Sequence, residues 1–357
     1  MMRSLFALAV AALAVAGCKR TPEQARPAAH ELRRDLELTD EQRAWLTELA
    51  ADADAHPDDL SARKRSGLAH LRFTLEGVLS LRDRAELDLE AAFRLAPTDK
   101  DVTRSLGRFY NLRAVAGDYT KADLQVEVYR AHLGDTPVAD MTSQQFVAYS
   151  FAQLGEILAA KNRGTVLTAL RKIEALERVL AARVQAHPND IEMRALAGNF
   201  EFFFAGNVPL SQRKRVENAV ADFEVVRTRW AEIRVGARDP EECPNTYENF
   251  MFELAEGLLV LDRVAEAEAI YRELTTIVPP VTRAKELVAA VSAERLRNVE
   301  HYRGEMELMP PWPSDVANCV VCHSYTSEVS LQSLHVREPI RLADVPTAAV
   351  PKPIARP

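Results

Sequence analysis

The sequence predicts an all-α chain: a solenoid of helical repeats followed by an irregular C-terminal segment. Only 13 of the 357 residues are glycine, alanine is abundant, and no segment alternates apolar and polar residues at the two-residue period of a strand. Apolar residues step by three or four instead; Val264, Ala267, Tyr271, Leu274 and Val278 would form one stripe on a helix. A repeat is also visible, because Pro57, Pro97 and Pro188 are each followed ten residues later by a glycine, Gly67, Gly107 and Gly198.

The chain opens with MMRSLFALAVAALAVAGC. One arginine precedes twelve apolar residues, 5–16. That run is too short to span a bilayer as a helix, which takes about 20 residues, and it fits the apolar region of an export signal. Val15-Ala16-Gly17-Cys18 resembles the lipobox of bacterial lipoproteins. The resemblance implies a signal peptide over 1–17, cleavage before Cys18, and lipid on Cys18 that anchors the chain to a membrane. Lys19, in place of an aspartate, resembles the pattern that sorts such proteins to the outer membrane, and the chain is then expected to face the periplasm. An ordinary export signal with an incidental cysteine is the other reading. Residues 18–38 read as a tether, since KRTPEQARPAAHE is polar and holds two prolines.

Lysine and arginine total 45 against 52 acids, for a net charge of −7, and the two signs are mixed along the chain. With no basic patch, nucleic acid is not an expected partner.

Residues 39–304 are assigned to the repeats. In LAPTDKDVTRSLGRFY and AHPNDIEMRALAGNF, proline stops one helix and an Asp or Asn opens the next. The glycine then falls inside the second helix, where a missing side chain lets a neighbour approach. This pattern resembles the tetratricopeptide repeat. Its best copy, over about 248–281, has Leu254, Ala255 and Leu258 in the first helix and Ala267, Tyr271, Leu274 and Pro279 in the second. Ala85, Leu89, Ala92 and Pro97, then Leu106, Gly107 and Tyr110, supply another copy, and Leu154 and Gly155 a weaker one. The proline spacings of 40, 91 and 91 depart from the family's 34, so some hairpins must carry longer or degenerate helices. The resemblance implies a superhelix whose concave groove takes a protein or peptide partner. A generic helical bundle with incidental Pro–Gly spacing remains the alternative.

Three features need a plainer reading than they invite. DADAHPDD (52–59) gathers four acids around His56, but it fits a helix end, a proline turn and an acidic helix start. FEFFF (200–204) fits packing between helices, as do Trp45 and Trp230. There is no Ser/His/Asp constellation in the sequence, no Gly-rich phosphate loop and no His-Glu-x-x-His helix. An enzymatic role is therefore left open, and hydrolytic or phosphoryl chemistry has no support.

The C-terminal segment, 305–357, holds NCVVCHS and a Pro-rich tail. Cys319-x-x-Cys322-His323 matches the c-type haem attachment pattern. Two thiols at that spacing meet the two vinyl groups on one porphyrin edge, and the adjacent histidine reaches the iron. Resemblance to c-type cytochromes implies haem c on Cys319 and Cys322 with His323 as the fifth ligand. His335, twelve residues on, is the nearest downstream sixth ligand, and Met306, Met309 and His301 are upstream alternatives. Zinc held by Cys319, Cys322, His323 and His335 is a rival, made awkward by the adjacency of Cys322 and His323. A disulfide or free thiol pair is the third reading. Cys243, in DPEECPNTY, has no evident partner.

Two functions follow as expectations. One is a membrane-anchored scaffold that docks a partner and passes electrons through one haem. The other is a tetratricopeptide adaptor for envelope assembly or secretion, in which the Cys-x-x-Cys-His segment is structural. A haem peroxidase would need an open sixth position and a distal base that the sequence does not identify.

Overall fold

A computed structural model describes residues 38–76, 78–115, 119–232, 246–277, 283–309 and 335–338. The fold is all-α, with thirteen α-helices and no strand among the described residues. They are α1 (Asp40–Ala55), α2 (Leu60–Glu76), α3 (Arg82–Leu95), α4 (Lys100–Val115), α5 (Ala122–Leu133), α6 (Ser143–Asn162), α7 (Val166–Ala186), α8 (Ile191–Asn207), α9 (Gln212–Thr228), α10 (Thr246–Val260), α11 (Val264–Leu274), α12 (Arg283–Arg297) and the short α13 (Val299–Tyr302). Each helix packs on its successor from α1 onward. In addition α2 touches α4, α4 touches α6, α6 touches α8, α8 touches α10 and α10 touches α12. Hairpins stacked in chain order, with the first helix of each against the first helix of the next, make a helical-repeat array.

The repeated proline turn recurs atom by atom. Asp59, Asp99 and Asp190 each stand two residues after the proline, and their N–H groups donate to the carbonyls of His56, Ala96 and His187 at 3.0, 3.1 and 2.9 Å. Each carboxylate then accepts from the exposed N–H groups of the helix it opens: Ser61 at 2.7 Å, Asp101 at 3.0 and Val102 at 3.1 Å, and Met193 at 3.1 Å. Two of the three turns also share an arginine six residues after the proline. Arg63 and Arg194 donate Nε to the carbonyls of Pro57 and Pro188, both at 3.3 Å. Their Nη1 groups reach back to Asp88 (2.6 Å) and Asp222 (3.0 Å) on the second helix of the hairpin. His56 is exposed beside its turn, in keeping with the plain reading of DADAHPDD.

The glycines lie at the helix contacts. A methyl group on Gly67 would meet the Leu89 side chain at 2.9 Å, on Gly107 the Tyr129 ring at 2.8 Å, and on Gly198 the Phe223 ring at 2.8 Å. In each case the first helix presses on the second helix of its own hairpin. Gly155 differs, because its near neighbour is Val126 at 3.0 Å, on the preceding hairpin. It therefore does not fill the same place as the other three. The wider spacing of the prolines is taken up here, by α6 and α7 of 20 and 21 residues. The stripe read from Val264 holds through Leu274, with Ala267, Ile270 and Tyr271 fully buried. Helix α11 stops there, and Val278 lies outside the described residues.

Phe200, Phe202, Phe203 and Phe204 are all buried. Trp45 packs edge-on to Phe73 at 6.4 Å, and Trp230 edge-on to Tyr247 at 5.1 Å. No described helix is long and apolar enough to cross a membrane.

Candidate functional site

Cys18, Cys243, Cys319, Cys322 and His323 lie outside the described residues, and so does Pro279. The other sequence candidates gather at the C-terminal end of the array. Met309 is buried in the large hydrophobic cluster of the last hairpins, and Met306, Leu308 and Val336 pack at its edge. The ring of His301 stands edge-on to Tyr302 at 4.8 Å. His335 is half-buried, and its carbonyl lies 3.1 Å from the Tyr302 hydroxyl. Residues 306–309 and 335–338 thus rest against the same end of the stack, although some 25 residues separate them in sequence. Burial, and then the nearby Arg295 guanidinium, hold the His335 imidazole below its usual range.

A buried ionic cluster underlies this end. On α10, Asn249, Glu253 and Glu256 fall at helical spacing on one face, and all three are buried. A polar stripe of that kind normally meets solvent; here Glu256 faces Arg295 of α12. The Arg295 guanidinium, fully buried, donates Nε to Glu256 Oε1 at 2.7 Å and Nη2 to Glu256 Oε2 at 3.2 Å. Its Nη1 donates to Glu294 Oε2 at 2.8 Å. The Tyr271 hydroxyl donates to Glu256 Oε1 at 2.6 Å, and the Tyr302 hydroxyl to Glu294 Oε1 at 2.8 Å. Arg295 also lies over the Tyr302 ring at 3.9 Å. Burial and the Glu256 carboxylate push the Tyr271 phenol well above its usual range, so that it stays a donor. The Glu256 carboxylate likewise keeps Arg295 charged in spite of its burial.

One cation here serves two carboxylates. Glu256 takes two of the guanidinium hydrogen bonds, and Glu294 takes one. The second oxygen of Glu294 is satisfied by other donors: Tyr302, Asn298 Nδ2 at 3.1 Å, and the backbone N–H groups of Arg337 at 3.1 Å and Glu338 at 3.4 Å. Arg337 N–H also donates to the Tyr302 hydroxyl at 2.7 Å. At the surface, Arg297 closes the contact with Glu338 at 2.9 Å.

A second buried cluster joins Ser66, His70 and Asp88, three residue types that the sequence does not bring together. Its order is wrong for nucleophilic catalysis. The Ser66 hydroxyl donates directly to Asp88 at 2.6 Å, and His70 Nδ1 lies 2.8 Å from the Ser66 carbonyl. Asp88 is further held by Arg63 and Arg84, each at 2.6 Å, and burial keeps His70 below its usual range. The cluster ties α2 to α3. A polar depression of about 360 Å³ between α5, α6 and α7 is lined by Arg130, Arg163, Lys172, Asp123 and Glu156, which pair with one another. Among the described residues no group of three or more His, Cys, Asp or Glu side chains is arranged to hold a metal ion. His335, the one proposed zinc ligand that is described, is therefore not completed by described neighbours.

Compared with known proteins, the chain matches no protein-family model, no curated protein and no solved structure.

Proposed function

We propose that this chain is a lipid-anchored, extracytoplasmic helical-repeat scaffold that carries one covalent c-type haem and docks a protein partner in the groove of its tetratricopeptide-like array. The observation that carries the reading is the run Cys319-x-x-Cys322-His323 in a chain that opens with a lipobox-like signal ending at Cys18. Export supplies the compartment in which thioethers form, and the motif supplies the thiols and the axial imidazole.

The described residues fit such a group in part. The hydrophobic edge made by Met306, Leu308 and Val336 offers an apolar wall. His335 adjoins Val336 in this edge and is the proposed sixth ligand, while His301 packs on the Tyr302 ring. Met309 is the weakest of the four candidates, because core packing already occupies its side chain. When bound, the haem would supply one-electron transfer; the chain's own residues would hold it and exclude water. The test is an absorption spectrum, and a haem stain after denaturing electrophoresis, of protein made in a host that matures c-type cytochromes. Stain that survives denaturation in the wild type and disappears in Cys319→Ser/Cys322→Ser is the expected result. One equivalent of zinc in place of haem would overturn it.

The adaptor reading draws on the helical-repeat array itself, since stacked hairpins present an extended surface without any cofactor. Colourless protein from the same host favours that reading. For either function, Cys18→Ser is expected to shift the protein from the detergent phase to the aqueous phase.

A further inference from the structure

We propose that Glu294 is a clasp: its buried carboxylate fastens residues 335–338 to the terminal hairpin and so ties the intervening chain at both ends. The argument is one of charge and hydrogen bonds. Glu294 has no exposure to solvent, and a buried carboxylate needs a full set of donors. Arg295 gives it one guanidinium hydrogen bond, through Nη1, while Nε and Nη2 face Glu256. Two of the donors to its remaining oxygen are the N–H groups of Arg337 and Glu338. Undocking the strap would remove both and let water in beside a charge that the α10–α12 interface has desolvated.

Tyr302 doubles the fastening. Its hydroxyl accepts from Arg337 N–H at 2.7 Å and lies 3.1 Å from the His335 carbonyl. Three further features complete the contact. Val336 packs on the hydrophobic cluster, Glu338 pairs with Arg297, and His335 takes a left-handed backbone, φ 49°, where the strap turns. Met309, the last described residue before the intervening segment, is anchored in the same cluster. The clasp therefore fixes where the chain returns, whatever residues 319–323 carry. It does not rest on the haem reading.

The test is hydrogen exchange on the full chain, read at the backbone amides of Arg337 and Glu338, with trypsin cleavage after Arg337 as a second readout. In the wild type both amides should be protected and cleavage slow. Glu294→Gln and Tyr302→Phe should each raise exchange at these amides at least tenfold and speed the cleavage, while α10 stays protected. If Glu294→Gln also loosens α12, Tyr302→Phe decides, because it leaves every ionised group in place. Unchanged exchange and cleavage in Tyr302→Phe, or wild-type amides that exchange as in an unstructured peptide, would overturn the proposal.

Discussion

Single side chains set the sharpest expectations. Glu201 projects from α8 among buried phenylalanines, and one of its oxygens is buried with no hydrogen-bond partner. Burial pushes its carboxyl up to about 7, against only a weak hydrogen bond from Asn218 at 3.2 Å. The folded state then keeps its proton between pH 4.5 and 7 while the unfolded state releases it. Stability from this group falls as pH rises through that window. Glu201→Gln should leave stability near wild type at pH 5 and raise it by about 1–2 kcal/mol at pH 8, a figure below the full shift because the side chain keeps some water. Urea denaturation at the two pH values checks this, and equal effects at both would refute it. Gly107→Val should cost about 1–3 kcal/mol, because its side chain would enter the space of the Tyr129 ring; an unchanged melting curve would contradict the close approach. The proline-to-glycine spacing made Gly67, Gly107 and Gly198 legible in the sequence. Gly257 was not legible. It meets Val220 of the preceding hairpin at 2.7 Å, two residues beyond the place where the repeat pattern expects a small residue and Ala255 supplies one.

Helices were legible where a proline turn opens them. The Pro-x-Asp turns open helices as their residue types require, and the structure adds capping boxes at Thr39/Gln42 and Thr142/Gln145 that were not picked out from the sequence. The buried polar face of α10 was not legible, since polar residues at helical spacing, here Asn249, Glu253 and Glu256, fit a solvated stripe equally well. Their burial follows from a partner helix, 39 residues away from Glu256 at Arg295, that no local pattern announces. Arg295→Met should therefore be costly, about 3–5 kcal/mol, because it strands two buried carboxylates without their cation. Glu256→Gln/Arg295→Met should recover part of that loss, and a double-mutant cycle in urea measures the coupling. Strict additivity of the two substitutions would mean that the pair does not act as a unit. The Ser66–His70–Asp88 cluster escaped the sequence reading for the same reason. Its hydroxyl and carboxylate stand on different helices and meet only through the α2–α3 packing.

Across the molecule, stability should be uneven. The cluster around Leu46, Ala69, Phe73 and Val78 at the N-terminal end is small, whereas the clusters built on α5–α8 and α8–α12 are extensive. In an array held by neighbour contacts, the weakly buried end opens first. Hydrogen exchange should thus be fastest in α1 and slowest in α8 and α9; uniform protection from α1 to α12 would indicate one cooperative unit instead. The fold class was legible because local helical signals agree with it along most of the chain. The candidate site was legible only as chemistry, in the residues 319–323 and 335. That residues 306–309 and 335–338 rest against one end of the stack depends on a return of the chain after some 25 residues, which no short-range pattern encodes.

Helix α8 belongs to two hydrophobic clusters at once. Ile191, Ala195, Phe202 and Ala205 face one, while Met193, Leu196, Phe200, Phe203 and Phe204 face the other. Such a helix has almost no side to turn to water. During synthesis the stretch IEMRALAGNFEFFFAGN can bury one face on residues already made, but its other face waits for α9 and α10 to leave the ribosome. A stall between residues 207 and 260 would leave Ile191, Ala195, Phe202 and Ala205 uncovered, and it is there that a chaperone of the nascent chain would be needed most.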